Sequence, residues 1–284
     1  MKLLSYALDR RMEPRLAFSL RGQAVDVLRA ALWMKEDRNA RDYLNLASSM
    51  RLALEDWDRT QSLLTELINS FQSLEFEAIH IYKRPVSMPE TDVVFFAPIM
   101  DPPSLRFFNA FTEKTPEQFT FGNTQTLFGH NQALSQPALT VLPEIGAIVG
   151  GPKNQDSRSI AGYCVVNNLQ NLTANKSEGL KSGFATSTGP YFITADELET
   201  HKLGAGFNLE TQVRIGAKKV SGSFRDMAFR FEDMLAAASP TRVLPGDILC
   251  SGSPVQTAAA LMIESANTQV EVEIQALGTL INTL

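Results

Sequence analysis

Over residues 1–30 apolar and polar positions alternate in "LLSYAL" and "RLAFSLRGQAVDV", the two-residue period of strands that bury one face. "LRGQAVDV" puts a glycine between two such runs and predicts a hairpin. From Asp26 to Leu74 the apolar spacing changes to three and four, with Leu52, Trp57, Leu64, Leu67 and Phe71 among the marked positions. That period predicts amphipathic helices, most clearly in "EDWDRTQSLLTELINSFQSL", whose Trp and Phe read as core. "KRPVSMPETDVVFFAPIMDPP" is proline-rich and has no helical period. It predicts a linker over 83–103 with a boundary near Pro89, dividing a small N-terminal α/β domain, 1–88, from a main domain, 89–284. Beyond it come short β-type runs, "QFTFGN", "ALTVLPEIGAIVG", "IAGYCVVNNL", "YFITADEL", "NLETQVRIGAKKV", "DILCSGS" and "QVEVEIQALGTLINTL". One helix is predicted among them, "SFRDMAFRFEDMLAAAS", with Met227, Phe231, Met234 and Leu235 on one face and Pro240 ending it. The pattern predicts an α+β, β-rich fold.

Composition narrows the function classes. The 284 residues are 44% hydrophobic and 20% charged, enough for a substantial core. A formal charge of -5 and a pI near 5.4 provide no basic field for phosphates, so nucleic acid is excluded as an expected partner. Cys164 and Cys250, each among apolar or small neighbours, suit free thiols in a reducing compartment, and a cytoplasmic location is expected. "MKLLSYALDRRMEPRL" meets charges too soon to be a secretory signal or a membrane span, so no membrane association is expected.

Taken singly, no familiar catalytic spacing occurs: G-x-S-x-G, H-E-x-x-H and C-x-x-C are all missing, and His80, His130 and His201 lie far apart. One feature is unusual. Glu144 is a lone acid inside the apolar run "ALTVLPEIGAIVG". A buried carboxylate without compensation costs several kcal/mol or becomes protonated, so it needs a partner.

Several segments, in chain order, resemble the fumarylacetoacetate hydrolase family. "PPSLRFFNAF" is similar to a proline-led segment that in the family ends in Asp, Tyr and then His; "PEIGAIVGG" resembles the Glu-x-Glu strand; "IAGYCVVNNL" resembles a strand ending in Asn-Asp. "SGFATSTGPYFITADEL" resembles a Lys-containing Phe-Thr-Gly-Pro segment, and "RVLPGDILCSGSP" the closing Pro-Gly-Asp-x-x-x-x-Gly-Thr signature. The likeness runs over residues 92–284, and "SYALDRRMEPRLAFSLRGQAVDVLRAA" is similar to the small N-terminal domain of longer members. It implies a rolled β-sheet domain, usually a homodimer. It also implies chemistry beside a carbonyl of β-diketo or 2-oxo acids: C–C bond hydrolysis, decarboxylation or isomerisation. In the family a divalent metal, typically Mg²⁺, chelates two substrate oxygens and a histidine activates water.

Carried over position by position, the family's polar set is largely replaced. Leu142 stands at the first Glu of the pair and Glu144 at the second; Asn168 stands at the later Asp; Phe107, Asn109 and Lys114 stand at the Asp, Tyr and His. Ser182 falls at the family lysine, with Lys181 beside it, while Thr186, Gly189 and Pro190 match. The usual Mg²⁺ site is therefore expected to be lost, with Glu144 its one retained ligand and no cofactor predicted. Lys114 and Glu144 are the candidate catalytic residues, Arg106, Asn109, Asn168 and Thr186 the candidate substrate-binding residues, with Arg106 as a carboxylate clamp or else a structural ion pair. Two fates of Glu144 stand open: neutralisation by Lys114, or bonding to backbone amides with Lys114 in a loop. Three functions stay open. The first is a family-type enzyme for a β-diketo, 2-oxo acid or polyketide-like small molecule with a rebuilt, metal-free pocket. The second is a non-catalytic relative acting as a binding or partner subunit. The third is a conventional Mg²⁺-dependent hydrolase using acids such as Asp101, Glu113 and Asp156.

Overall fold

The computed structural model describes residues 1–38, 49–134, 139–151, 157–171, 185–255 and 268–283. Its main feature is a long mixed sheet that begins in the N-terminal hairpins and ends in the C-terminal half. Strand β1 (Lys2–Ala7) pairs with β2 (Arg15–Leu20), and β2 with β3 (Gln23–Asp26). The predicted hairpin turn is Arg21–Gly22, and both residues have positive φ, 52° and 75°, the twist that a two-residue loop between strands requires. Helices α1 (Val27–Arg38), α2 (Met50–Glu55) and α3 (Trp57–Gln72) follow. Along α3 the buried residues are Trp57, Thr60, Leu64, Leu67 and Phe71, one stripe at three- and four-residue spacing.

The stretch expected as a linker is stitched into the sheet. Strand β4 (Ser87–Pro89) pairs with β3, and Val94–Phe95 pairs with β1. The expected boundary near Pro89 thus falls inside a sheet strand. Strands β5 (Leu105–Phe107), β6 (Thr120–Gly122), β7 (Leu139–Gly150), β8 (Ser159–Asn171) and β9 (Ala185–Thr194) carry the chain onward. After β10 (Glu210–Ile215) and β11 (Lys218–Ser223) come helix α4 (Phe231–Ala238) and β12 (Ile248–Cys250); the hairpin of β13 (Gln269–Ile274) and β14 (Gly278–Thr283) ends it. The sheet order is β4-β3-β2-β1-β9-β8-β7-β12-β5-β6, so β1 and β9 join the two halves edge to edge. A smaller sheet of β14, β13, β10 and β11, with the short strand Gln132–Ala133 beside β14, packs against one face of the long sheet through Val141, Ile145, Val165, Val272 and Leu280. The N-terminal helices cover the other face, where Leu64, Phe71, Cys164, Val166, Phe192 and Ile248 share one core.

Helix α4 starts later than the pattern predicts. Met227 is buried, but Ala228 N–H donates to Ala110 O, which ties the chain down ahead of the helix. The helix proper opens where the Asp233 carboxylate accepts from Arg230 N–H at 2.9 Å. Among the described residues no helix is long and apolar enough to cross a membrane.

Candidate active site

Register assembles the site. In the β7–β8 pair Leu142 lies opposite Asn168 and Glu144 opposite Val166; in the β8–β9 pair Asn168 lies opposite Thr186 and Val166 opposite Thr188. Residues directly opposite share a face, and so do residues two apart. Leu142, Glu144, Asn168, Thr186 and Thr188 therefore form one patch, on the face that holds Cys164 and Val166. Glu144, Asn168, Thr186 and Thr188 are all buried.

Glu144 is held by two N–H donors. Asn168 Nδ2 donates to Oε1 at 2.8 Å, and the backbone N–H of Gly252 donates to Oε2 at 3.0 Å. Burial pushes its carboxyl up to about 7, against the downward pull of those two hydrogen bonds. The neighbouring Cys250 thiol is pushed well up by its own burial and then by the Glu144 charge. Gly252 has φ +79°, and a Cβ there would sit 2.8 Å from Asn109 Cα. Only glycine allows both that conformation and that approach, so the glycine of the closing signature is what brings a backbone N–H onto Glu144.

The same patch carries polar atoms without partners. Asn168 Oδ1, Thr186 Oγ1 and Thr188 Oγ1 are buried and make no hydrogen bond. Buried polar atoms are almost always satisfied, so three orphans beside a carboxyl are unmet hydrogen-bonding groups gathered in one place.

Arg106 and Lys114 lie elsewhere. Arg106 is buried on β5, and its guanidinium is spent on the protein: Nε donates to Ser104 Oγ, Nη1 to Ala238 O and Thr241 Oγ1, Nη2 to Arg242 O and to Asp247 Oδ2 at 3.2 Å. The expected clamp is thus the structural ion pair, because these acceptors use every nitrogen. Lys114 is exposed in the loop after β5 and is not a partner of Glu144, which is bonded to an amide side chain and a backbone N–H instead. Two neutral N–H donors stand where a counter-ion was expected. Asn109 is exposed and lies against Gly252. Lys181, Ser182 and Asp156 lie outside the described residues. Thr188, Asp247 and Gly252 were not singled out from sequence; the last two sit in "PGDILCSGSP", where the signature itself was the signal.

The residues present do not fit the Mg²⁺ that the resemblance implies. Both oxygens of Glu144 face N–H donors, and Leu142 and Phe107 place carbon at two ligand positions. Among the described residues no three of His, Cys, Asp and Glu gather closely enough to hold an ion.

Comparison with known proteins agrees with this architecture. The family model described as fumarylacetoacetate (FAA) hydrolase C-terminal matches residues 107–284. No curated protein matches the sequence. Among solved structures, a maleylpyruvate hydrolase from Sphingobium sp. SYK-6, in complex with manganese(II) ion and pyruvate, is similar at TM-score 0.70 and 16% identity, covering 100% of this chain and 98% of that one. Fumarylacetoacetate hydrolase from Exiguobacterium antarcticum aligns at 0.67 and 16%, with 100% and 99% covered. A putative HpcE protein from Mycobacterium smegmatis aligns at 0.71 and 15%, with 100% and 99% covered. At these identities the structures speak for the fold alone, whereas the family model spans well over half the sequence and takes in the Glu144 strand, the Asn168 strand and the closing signature. On that match the chain belongs to the fumarylacetoacetate hydrolase family.

Proposed function

We propose that this protein is an enzyme of the family's carbonyl chemistry, acting on a small β-diketo or 2-oxo acid at the Glu144 patch and using a buried carboxyl where relatives use a metal. The observation that carries the reading is the set of orphaned polar atoms, Asn168 Oδ1, Thr186 Oγ1 and Thr188 Oγ1, next to a carboxyl raised to about 7. A carboxyl with that value is present in both forms at neutral pH and is suited to move a proton to or from a substrate oxygen. In the proposed arrangement the protonated Glu144 donates to the substrate carbonyl oxygen, which draws electron density from the adjacent C–C or C–H bond. The Thr186 and Thr188 hydroxyls bond the second substrate oxygen, and Asn168 Oδ1 accepts from an enol or hydroxyl. Asn168 Nδ2 and Gly252 N–H hold the carboxyl in place throughout. The substrate class is supported by proteins of similar fold, which include a maleylpyruvate hydrolase and a 2-keto-3-deoxy-D-arabinonate dehydratase.

The test is turnover of an acylpyruvate and of oxaloacetate, with added Mg²⁺ and with chelator. Chelator-insensitive turnover, reduced roughly 10²- to 10⁴-fold in Glu144→Gln, is the expected result. Turnover that needs Mg²⁺ would return the protein to the conventional hydrolases of the family. Silence across a diketone panel would favour a non-catalytic relative that keeps the fold as a binding subunit.

A further inference from the structure

A cavity of ≈ 890 Å³ opens on the other face of the long sheet, between β8, α4 and the chain after α4. It is separate from the Glu144 patch. Its wall includes Tyr163 and Val243, both buried in the core between the two sheets, whereas Glu144 shares its face with Cys164 and Val166 in the core under the N-terminal helices. Tyr163 and Asn168 are an odd number of residues apart on one strand, so they point to opposite sides.

The cavity combines an apolar wall with an excess of positive charge. Tyr163, Ile160 and Leu235 supply aromatic and aliphatic surface. Lys202 lies 2.7 Å from Glu199 and 3.6 Å from Glu232, so the two carboxylates there are already paired. Arg242 is different: it is exposed at the cavity, and among the described residues its side chain has neither an ion pair nor a hydrogen bond. In a protein of formal charge -5, an unpaired guanidinium beside a concave apolar wall is a specific feature of this place.

The fold also spends interactions to hold Arg242 there. Its φ is 57°, a left-handed conformation unusual for a residue with a side chain. Arg242 N–H donates to Ser239 O at 3.1 Å, and its carbonyl accepts from the buried Arg106 Nη2 at 3.0 Å. Arg106 is anchored in turn by Asp247, whose Oδ2 also accepts from Leu244 N–H. One buried ion pair thus fixes both ends of the turn that presents Arg242.

We propose that this cavity is a binding site for a small amphipathic carboxylate, its anionic end on Arg242 and its apolar body against Tyr163 and Leu235. A guanidinium matches a carboxylate with two parallel hydrogen bonds, and a cavity of this size takes an aryl or branched aliphatic acid. The site belongs to the fold whether or not the Glu144 patch is catalytic.

Calorimetric titration of the full-length protein with phenylacetate, and with its neutral counterpart phenylacetamide, tests the assignment. Saturable one-to-one binding of phenylacetate is expected, weakened about tenfold or more for the amide and in Arg242→Asn. Asparagine tolerates the left-handed backbone, so that variant keeps the turn. Ala236→Trp, which fills the cavity from the exposed side of α4, is expected to abolish binding without touching any charge; if Arg242→Asn fails to fold, this variant decides. Glu144→Gln, on the opposite face, is expected to bind phenylacetate as the parent does. The assignment is overturned if no saturable binding occurs, if the amide binds equally well, if both cavity variants bind as the parent does, or if Glu144→Gln loses the ligand.

Discussion

Glu144 links local chemistry to a measurable property of the whole protein. Its folded value of about 7 lies above the ordinary 4.5, so between those values the folded protein holds a proton that the unfolded chain has released. Stability then falls as pH rises through that window, by about 3 kcal/mol in all, and levels off above it. In Glu144→Gln this slope should vanish. The glutamine fits without a lost hydrogen bond, because the Asn168 amide can turn and present its free Oδ1 to the new NH₂. Thermal melts at pH 5 and pH 8 check the point: the parent should lose more stability across that interval than the variant, and an equal loss would mean that Glu144 is not buried as a proton-holding carboxyl. Arg106 gives the opposite kind of residue. Its pair with Asp247 is buried on both sides, 2% and 1% exposed, so Arg106→Ala strands a carboxylate and should cost about 3–5 kcal/mol in denaturant unfolding. Changing both partners, as in Arg106→Met with Asp247→Asn, should recover a good part of that loss, and no recovery would show that the pair's main service is to the carbonyls of Ala238 and Arg242.

At the scale of elements, the paired strands β7, β8 and β9 act as a template on which site residues are written by register. Leu142 and Asn168 face each other directly, so Leu142→Glu with Asn168→Asp places two more carboxylates beside Glu144. In that variant Mg²⁺ should raise the melting temperature, the effect reaching about 2.7 kcal/mol at a hundredfold excess over Kd, while the parent should not respond. A response of equal size in the parent would remove the proposed replacement of metal by carboxyl. The patch was partly legible beforehand. The lone Glu144 in its apolar run predicted a buried acid on a strand, and the resemblance put Leu142 at the position of its lost partner. What pairs with it was not legible, since Gly252 lies 108 residues further along and its N–H reaches Glu144 only because β12 lies beside β7. Arg106 was equally open between clamp and ion pair, because its acceptors are two carbonyls and three side chains from positions 104–247 that no local pattern connects.

For the whole molecule, the sheet crosses the expected boundary. β1 is hydrogen-bonded to β9, with Lys2 opposite Ile193 and Leu3 opposite Phe192, and one hydrophobic core contains both Leu67 and Phe71 of α3 and Val166 and Ile248 of the C-terminal half. A fragment of residues 89–284 would expose that core and strip β9 of its β1 neighbour at Phe192 and Ile193. We expect it to be aggregated or loosely packed, with no protected amides in β9 by hydrogen exchange; a cooperatively folded fragment would establish 1–88 as a separable domain. The proline-rich stretch 83–103 shows why sequence pointed to a linker: Pro and short apolar runs describe segments too brief to show a period, and their pairing with β3 and β1 is a long-range event. By itself the sequence determined the strand and helix types, the hairpin at Arg21–Gly22, the stripe of α3 and the family, because each depends on residues close together or on ordered local signatures. Only the tertiary structure decided the partners of Glu144, the use of Arg106, the exposure of Lys114, the union of the two halves and the cavity at Arg242. Those depend on which distant strands lie side by side, and burial, which raises the carboxyl and makes an ion pair or an orphaned hydroxyl matter, exists only once they do.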